Sequence, residues 1–112
     1  MLVEIEFTKK DKATVESTFP VYVTYGDTFD SGGGYECYAR IDESMTDYVV
    51  TERSDGEWEY KSDRADRRMI GKIFAPKFYA GDFSGYHYKK ILPEEFYAKV
   101  DEMSAALSAI PR

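Results

Sequence analysis

The stretch from Tyr48 to Lys61 constrains this chain most. Two runs rich in β-branched and aromatic residues, Tyr48-Val-Val-Thr51 and Trp58-Glu-Tyr-Lys61, flank Asp55-Gly56. An Asp-Gly pair suits the two positive φ angles of a type I′ hairpin turn. A two-residue turn sets Arg53 opposite Trp58, Glu52 opposite Glu59, Thr51 opposite Tyr60 and Val49 opposite Ser62. Strand side chains alternate, so Val49, Thr51, Trp58 and Tyr60 are expected on one face and Glu52, Glu59 and Lys61 on the other. Opposed glutamates repel when buried, which marks their face as wet and the tryptophan face as core.

Similar alternation recurs along the chain. Val3, Ile5 and Phe7 alternate with Glu4 and Glu6 across Leu2 to Thr8, the pattern of a half-buried strand. After the charged turn Lys9 to Lys12 the pattern resumes at Val15, and a second strand is expected over Phe19 to Tyr25, with Pro20 at its start or on an edge. Tyr35 to Ile41 sets Tyr35, Cys37, Ala39 and Ile41 against Glu36, Tyr38 and Arg40. Between these strands, residues 26–34 hold three consecutive glycines and read as a mobile hairpin loop. A phosphate cradle is disfavoured there: no helix follows, and Asp27 and Asp30 oppose an anion.

The second half is less regular. Ser62 to Gly71 fits either a charged loop or a two-turn helix capped by Asp63 and ending at Gly71. Lys72 to Tyr79 reads as a strand interrupted by Pro76, Ala80 to Gly85 as a turn, and Tyr86 to Ile91 as the last strand. Pro93 then opens a helix running to about residue 110, with Glu94 and Glu95 at the positive end of its dipole. Phe96, Val100, Met103, Leu107 and Ile110 form its apolar stripe, and Pro111 ends it.

These elements predict one α+β domain over residues 1–112. An antiparallel sheet of five or six strands, built from hairpins over residues 1–91, carries a C-terminal amphipathic helix (residues 93–110) on one face. The expected core is Val3, Ile5, Phe7, Val21, Val23, Cys37, Ile41, Val49, Trp58, Tyr60, Ile73, Phe96, Val100, Met103 and Leu107. Ten Tyr, seven Phe and one Trp argue against disorder, which starves a chain of aromatics. No apolar run is long enough to span a bilayer. With no signal segment in residues 1–20 and a single cysteine, a reducing compartment is favoured and a cytoplasmic protein is expected.

Charge is unevenly distributed. Residues 1–60 hold five Lys/Arg against fourteen Asp/Glu, residues 61–90 eight against three, and residues 91–112 two against four, giving −9, +5 and −2 and the net −6. Two surfaces follow. The acidic strands place Glu36, Tyr38, Glu52, Glu57 and Glu59 as a face for a protein partner with a basic surface, since dense carboxylates steer such association and tyrosine suits interfaces. Other exposed acids (Glu4, Glu6, Asp42, Glu43 and Asp47) add to it. The alternative is the basic-aromatic segment 64–90, where Arg64, Arg67, Arg68, Lys77, Tyr86, Tyr88, Lys89 and Lys90 suit single-stranded nucleic acid, bases stacking on rings while cations follow phosphates.

Catalytic readings find little support. One His, one Cys and no nucleotide fingerprint leave scattered carboxylates, and a Cys37–His87 pair spans fifty residues of sequence. Asp27, Asp30 and Asp42 lack the offsets of a calcium loop. No catalytic residue, metal or cofactor is expected. The favoured reading is a small acidic non-catalytic binding protein that masks a macromolecular partner: an inhibitor or immunity-type protein, with a phage counter-defence protein as one form.

Overall fold

The alternating segments pair as antiparallel strands in a computed structural model that describes residues 1–7, 11–28, 33–81 and 87–108. Strands β1 (Leu2–Glu6) and β2 (Lys12–Glu16) form a two-stranded sheet. Strands β3 (Val21–Thr28), β4 (Gly34–Ile41), β5 (Thr46–Arg53), β6 (Trp58–Arg64) and β7 (Lys89–Lys90) form a five-stranded antiparallel sheet in the order β6-β5-β4-β3-β7. Helix α1 (Arg67–Phe74) runs into a 3-10 turn over Pro76–Tyr79, and helix α2 (Pro93–Ser108) follows β7. The chain is α+β, as its periodicities predict, with the last helix packed on the sheet.

Both faces of the larger sheet carry a packed cluster. On one, Val21, Val23, Ala39 and Ile41 meet Val3 and Ile5 of β1 and Met69, Ile70 and Ile73 of α1. On the other, Tyr22 and Val50 meet Phe96 of α2, flanked by Tyr38, Trp58, Val100 and Met103. Ile5, Val23, Ile41, Val50 and Ile70 are fully buried, each stabilising the fold by about 1.5–3 kcal/mol.

The hairpin register departs from expectation by one residue. Glu52 opposes Trp58, Thr51 opposes Glu59 and Val50 opposes Tyr60. The loop has three residues, Ser54 to Gly56, because only Gly56 takes a positive φ, at 88°. Gly56 N–H donates to the Arg53 carbonyl at 3.0 Å, and Glu57 N–H donates to Asp55 Oδ1 at 3.0 Å. That is a type I turn closed by a glycine bulge, stabilised by the aspartate side chain. A slip of one residue exchanges faces. Val50, not Val49, therefore shares a face with Trp58 and Tyr60, and Glu59 shares one with Val49 and Thr51.

Three further expectations are corrected. Lys72 to Tyr79 is helical: Asp66, not Asp63, caps α1 by accepting from Arg68 N–H at 2.7 Å, and Pro76 opens the 3-10 turn where its missing N–H costs little. The last strand contracts to Lys89–Lys90, and the second begins at Val21, with β2 a separate strand. Tyr60 is 54% and Leu107 52% exposed, so neither is core; the α2 stripe meets the sheet cluster only as far as Met103. Phe7, Val49, Trp58, Val100 and Met103 are half-buried, and the other expected core residues are buried. Residues 29–32 of the glycine loop, the turn at 82–85, Tyr86, Ile110 and Pro111 lie outside the described residues.

Replacing Asp66 by alanine removes the α1 cap and is expected to lower stability by about 1 kcal/mol, read as a shift of the urea midpoint at constant slope.

Candidate functional site

Strand register decides where the acidic residues go. Glu36 and Glu52 oppose each other directly across β4 and β5, on the face that carries α2. Thr24 Oγ1 donates to Glu36 at 3.2 Å, and Lys99 of α2 reaches Glu52 at 3.5 Å and Glu102 at 3.0 Å. The Lys99 ammonium also lies 5.1 Å from the centre of the Tyr38 ring. Burial, chiefly, raises the Tyr38 hydroxyl pKa. Glu59 points to the opposite face, where its carboxylate binds Arg53 at 2.9 Å, and Glu57 sits exposed just past the turn. The five predicted residues therefore do not share one face of the sheet.

They share one end of it. The end of β3, the start of β4 and the β5–β6 turn lie side by side, tied by Ser54 N–H to the Gly34 carbonyl and by Gly34 N–H to Ser54 Oγ, both 3.0 Å. This gathers Asp27, Glu36, Glu52, Asp55, Glu57 and Glu59 at that end, with Arg53 bound by Glu59 on one face and Lys99 by Glu52 on the other. Both cations are already engaged by carboxylates, whereas Asp55 and Glu57 make no ion pair with any described residue. A shallow groove of about 280 Å³ runs between Asp27, Glu36, Glu52 and Ser54.

The basic segment is dispersed rather than gathered. Arg67 turns onto β1 and binds Glu4 at 2.9 Å and Glu6 at 3.5 Å. Lys77 lies over the Phe78 ring and Lys90 over Phe74. Tyr88 packs edge-on to Tyr25 with ring centres 4.9 Å apart, while Lys89 falls on the other sheet face. Arg64 and Arg68 rim an open basin on the face that carries α1. The strand expected to carry the stacking tyrosines, Tyr86 to Ile91, contracts to Lys89–Lys90, and Tyr86 lies outside the described residues.

That basin holds about 530 Å³ above Cys37, Val49 and Thr51. Asp47, expected among the exposed acids, is instead half-buried in it, directly opposite Asp63 across β5 and β6. Asp47 Oδ1 is buried with no hydrogen-bond donor among the described residues. Burial, and then the Asp63 charge, push the Asp47 pKa up to about 6. The sequence signal was available: Asp47 stands two and four residues before Val49 and Thr51, hence on their face. Cys37 is buried with Sγ 3.4 Å from Thr51 Oγ1, and burial raises its pKa, the opposite of what a nucleophilic thiol needs. Its side-chain partners are Thr51 and Tyr25 rather than His87.

Among the described residues no cluster of three His, Cys, Asp or Glu side chains suits a metal ion, and no helix is long and apolar enough to cross a membrane. No protein-family model, curated protein or solved structure matches this chain.

Proposed function

We propose that this chain is a non-catalytic binding protein that masks a basic surface of a protein partner, using the acidic end of its larger sheet. The observation that carries this reading is the gathering of six carboxylates at one end of the sheet, where Glu59 already holds Arg53 and Glu52 and Glu102 already hold Lys99. Excess negative charge at one end raises the encounter rate with a basic partner and orients it. Carboxylates held by paired strands present acceptors at fixed spacing, so they can occupy lysines and arginines that otherwise hold phosphate. An inhibitor or immunity-type protein, a phage counter-defence protein among them, is the sharpest form of the proposal, with the cytoplasm its expected setting.

Glu36 and Glu57 are the residues to change, because both are exposed and neither holds a cation. In affinity capture from lysate treated with nuclease, the wild type is expected to retain a protein that salt releases. Glu36→Lys with Glu57→Lys should weaken that complex at least tenfold, about 1.4 kcal/mol, with an unchanged circular dichroism spectrum. Equal binding by the double variant would refute the acidic-end reading. Capture abolished by nuclease would point to nucleic acid instead.

A further inference from the structure

We infer that the outer edge of β6 is a pairing site for a second copy of this chain, joining two five-stranded sheets antiparallel about Tyr60. The hydrogen-bond phase of the hairpin fixes which groups are available. Arg53 N–H donates to the Glu57 carbonyl at 2.9 Å and Ala65 N–H to the Met45 carbonyl at 2.7 Å. In an antiparallel ladder the bonded pairs recur every second residue, so Glu59, Lys61 and Asp63 direct their backbone groups inward to β5. Trp58, Tyr60 and Ser62 direct theirs outward, and no described residue bonds them. At Arg64 the edge closes, because Asp63 Oδ1 accepts that N–H at 2.7 Å. What is left is a five-residue open edge, a template for another strand.

Side-chain charge selects the occupant and the register. Pairing centred on Tyr60 sets Glu59 opposite the second copy's Lys61, and Lys61 opposite its Glu59, while Trp58 faces Ser62. Lys61 is exposed and makes no ion pair with a described residue, so it is available to that partner. Centring on Lys61 instead would oppose two lysines and set Glu59 against Asp63, both repulsive. Beyond the favoured seam Glu57 would meet Asp63, which limits it to Trp58 through Ser62. The two-fold axis stands normal to the sheet, so both α2 helices lie on one face with the exposed Tyr60 rings between them. That placement also covers the cleft of about 500 Å³ lined by Tyr48, Tyr60, Val100 and Met103.

So short a seam buries less than the roughly 1,000 Å² of a firmly dimeric interface, so association should depend on concentration. Sedimentation equilibrium is expected to show the wild type rising from 12.9 kDa towards twice that mass as concentration increases. Lys61→Glu should stay monomeric, and adding Glu59→Lys to it, which exchanges the two charges, should restore the dimer. Ser62→Pro deletes one outward N–H and no internal ladder bond, so it should fold by circular dichroism and remain monomeric. A wild type that is monomeric throughout, or a Lys61→Glu or Ser62→Pro variant that dimerises normally, overturns the proposal. Failure of the charge exchange to restore the dimer overturns it as well.

Discussion

Gly71→Ala is expected to destabilise the fold by about 2–3 kcal/mol, although alanine is the better helix former by about 1 kcal/mol. Gly71 is buried within α1, and Tyr79 closes over it: a β-carbon there would overlap the Tyr79 hydroxyl and lie 2.6 Å from Cε2 of its ring. The ring has little freedom to move aside. It is 6% exposed, its hydroxyl donates to the Glu6 carbonyl at 2.6 Å, and the Arg68 guanidinium lies 5.3 Å from its centre. Displacing it strands a carbonyl of β1 and loosens the join between α1 and the small sheet. Denaturant melts of Gly71→Ala, Tyr79→Ala and the double variant test this. The double variant should lose less than the sum of the singles, since the alanine finds room once the ring is gone. Additive losses, or a Gly71→Ala protein as stable as the wild type, would dismiss the packing account.

The same contact explains why part of the fold was hard to read from sequence. Gly71 has the appearance of a helix stop and Lys72 to Tyr79 that of a bulged strand, because local propensity knows nothing of a ring that arrives eight residues later. Where periodicity was unbroken it was decisive: the alternation in β1 and β4 and the Pro93-Glu94-Glu95 helix start all match the structure. The hairpin shows an intermediate case. Asp55-Gly56 located the turn, but an Asp-Gly pair serves two loop lengths, and Val49-Val50 offers an apolar residue to either register. Choosing between them required the loop hydrogen bonds, and the choice reassigned Trp58, Tyr60 and Glu59 to opposite faces.

That one-residue difference also reshapes the proposed binding surface. With the expected register, Glu52 and Glu59 form one acidic face; with the observed one they lie on opposite sides of the sheet, and the acids gather only at its end. An end surface is built from loops and strand termini, so it can carry charge without disturbing either core cluster. Each face of the sheet carries a packed cluster, and on the proposed reading one end presents the carboxylates while the β6 edge presents open backbone groups. The two surfaces are adjacent at Glu57 and Trp58 and distinct in chemistry.

Asp47 is the acid that the fold holds at a cost, and its replacement should show it. Its carboxyl faces Asp63 across the β5–β6 pair, with Oδ1 buried and lacking a donor among the described residues. The cations at the basin rim, Lys61 and Arg64 on β6 and Arg68 and Lys72 on α1, leave the balance upward: burial first and Asp63 second raise the pKa from 3.8 to about 6. Between those two values the folded chain keeps a proton that the unfolded chain releases. Stability from this group is therefore fully present below about pH 4 and is lost as pH rises through 6. The full shift corresponds to about 3 kcal/mol, and solvent screening of a half-buried group reduces this to about 1–2 kcal/mol. Asp47→Asn should accordingly be more stable than the wild type by that amount at pH 7, by urea denaturation, and nearly equal to it below pH 4. The amide also gives Asp63 a hydrogen-bond donor in place of a like charge. A variant less stable than the wild type at pH 7, or a wild type whose stability is flat between pH 4 and 6, would show that a donor satisfies this carboxylate in solution.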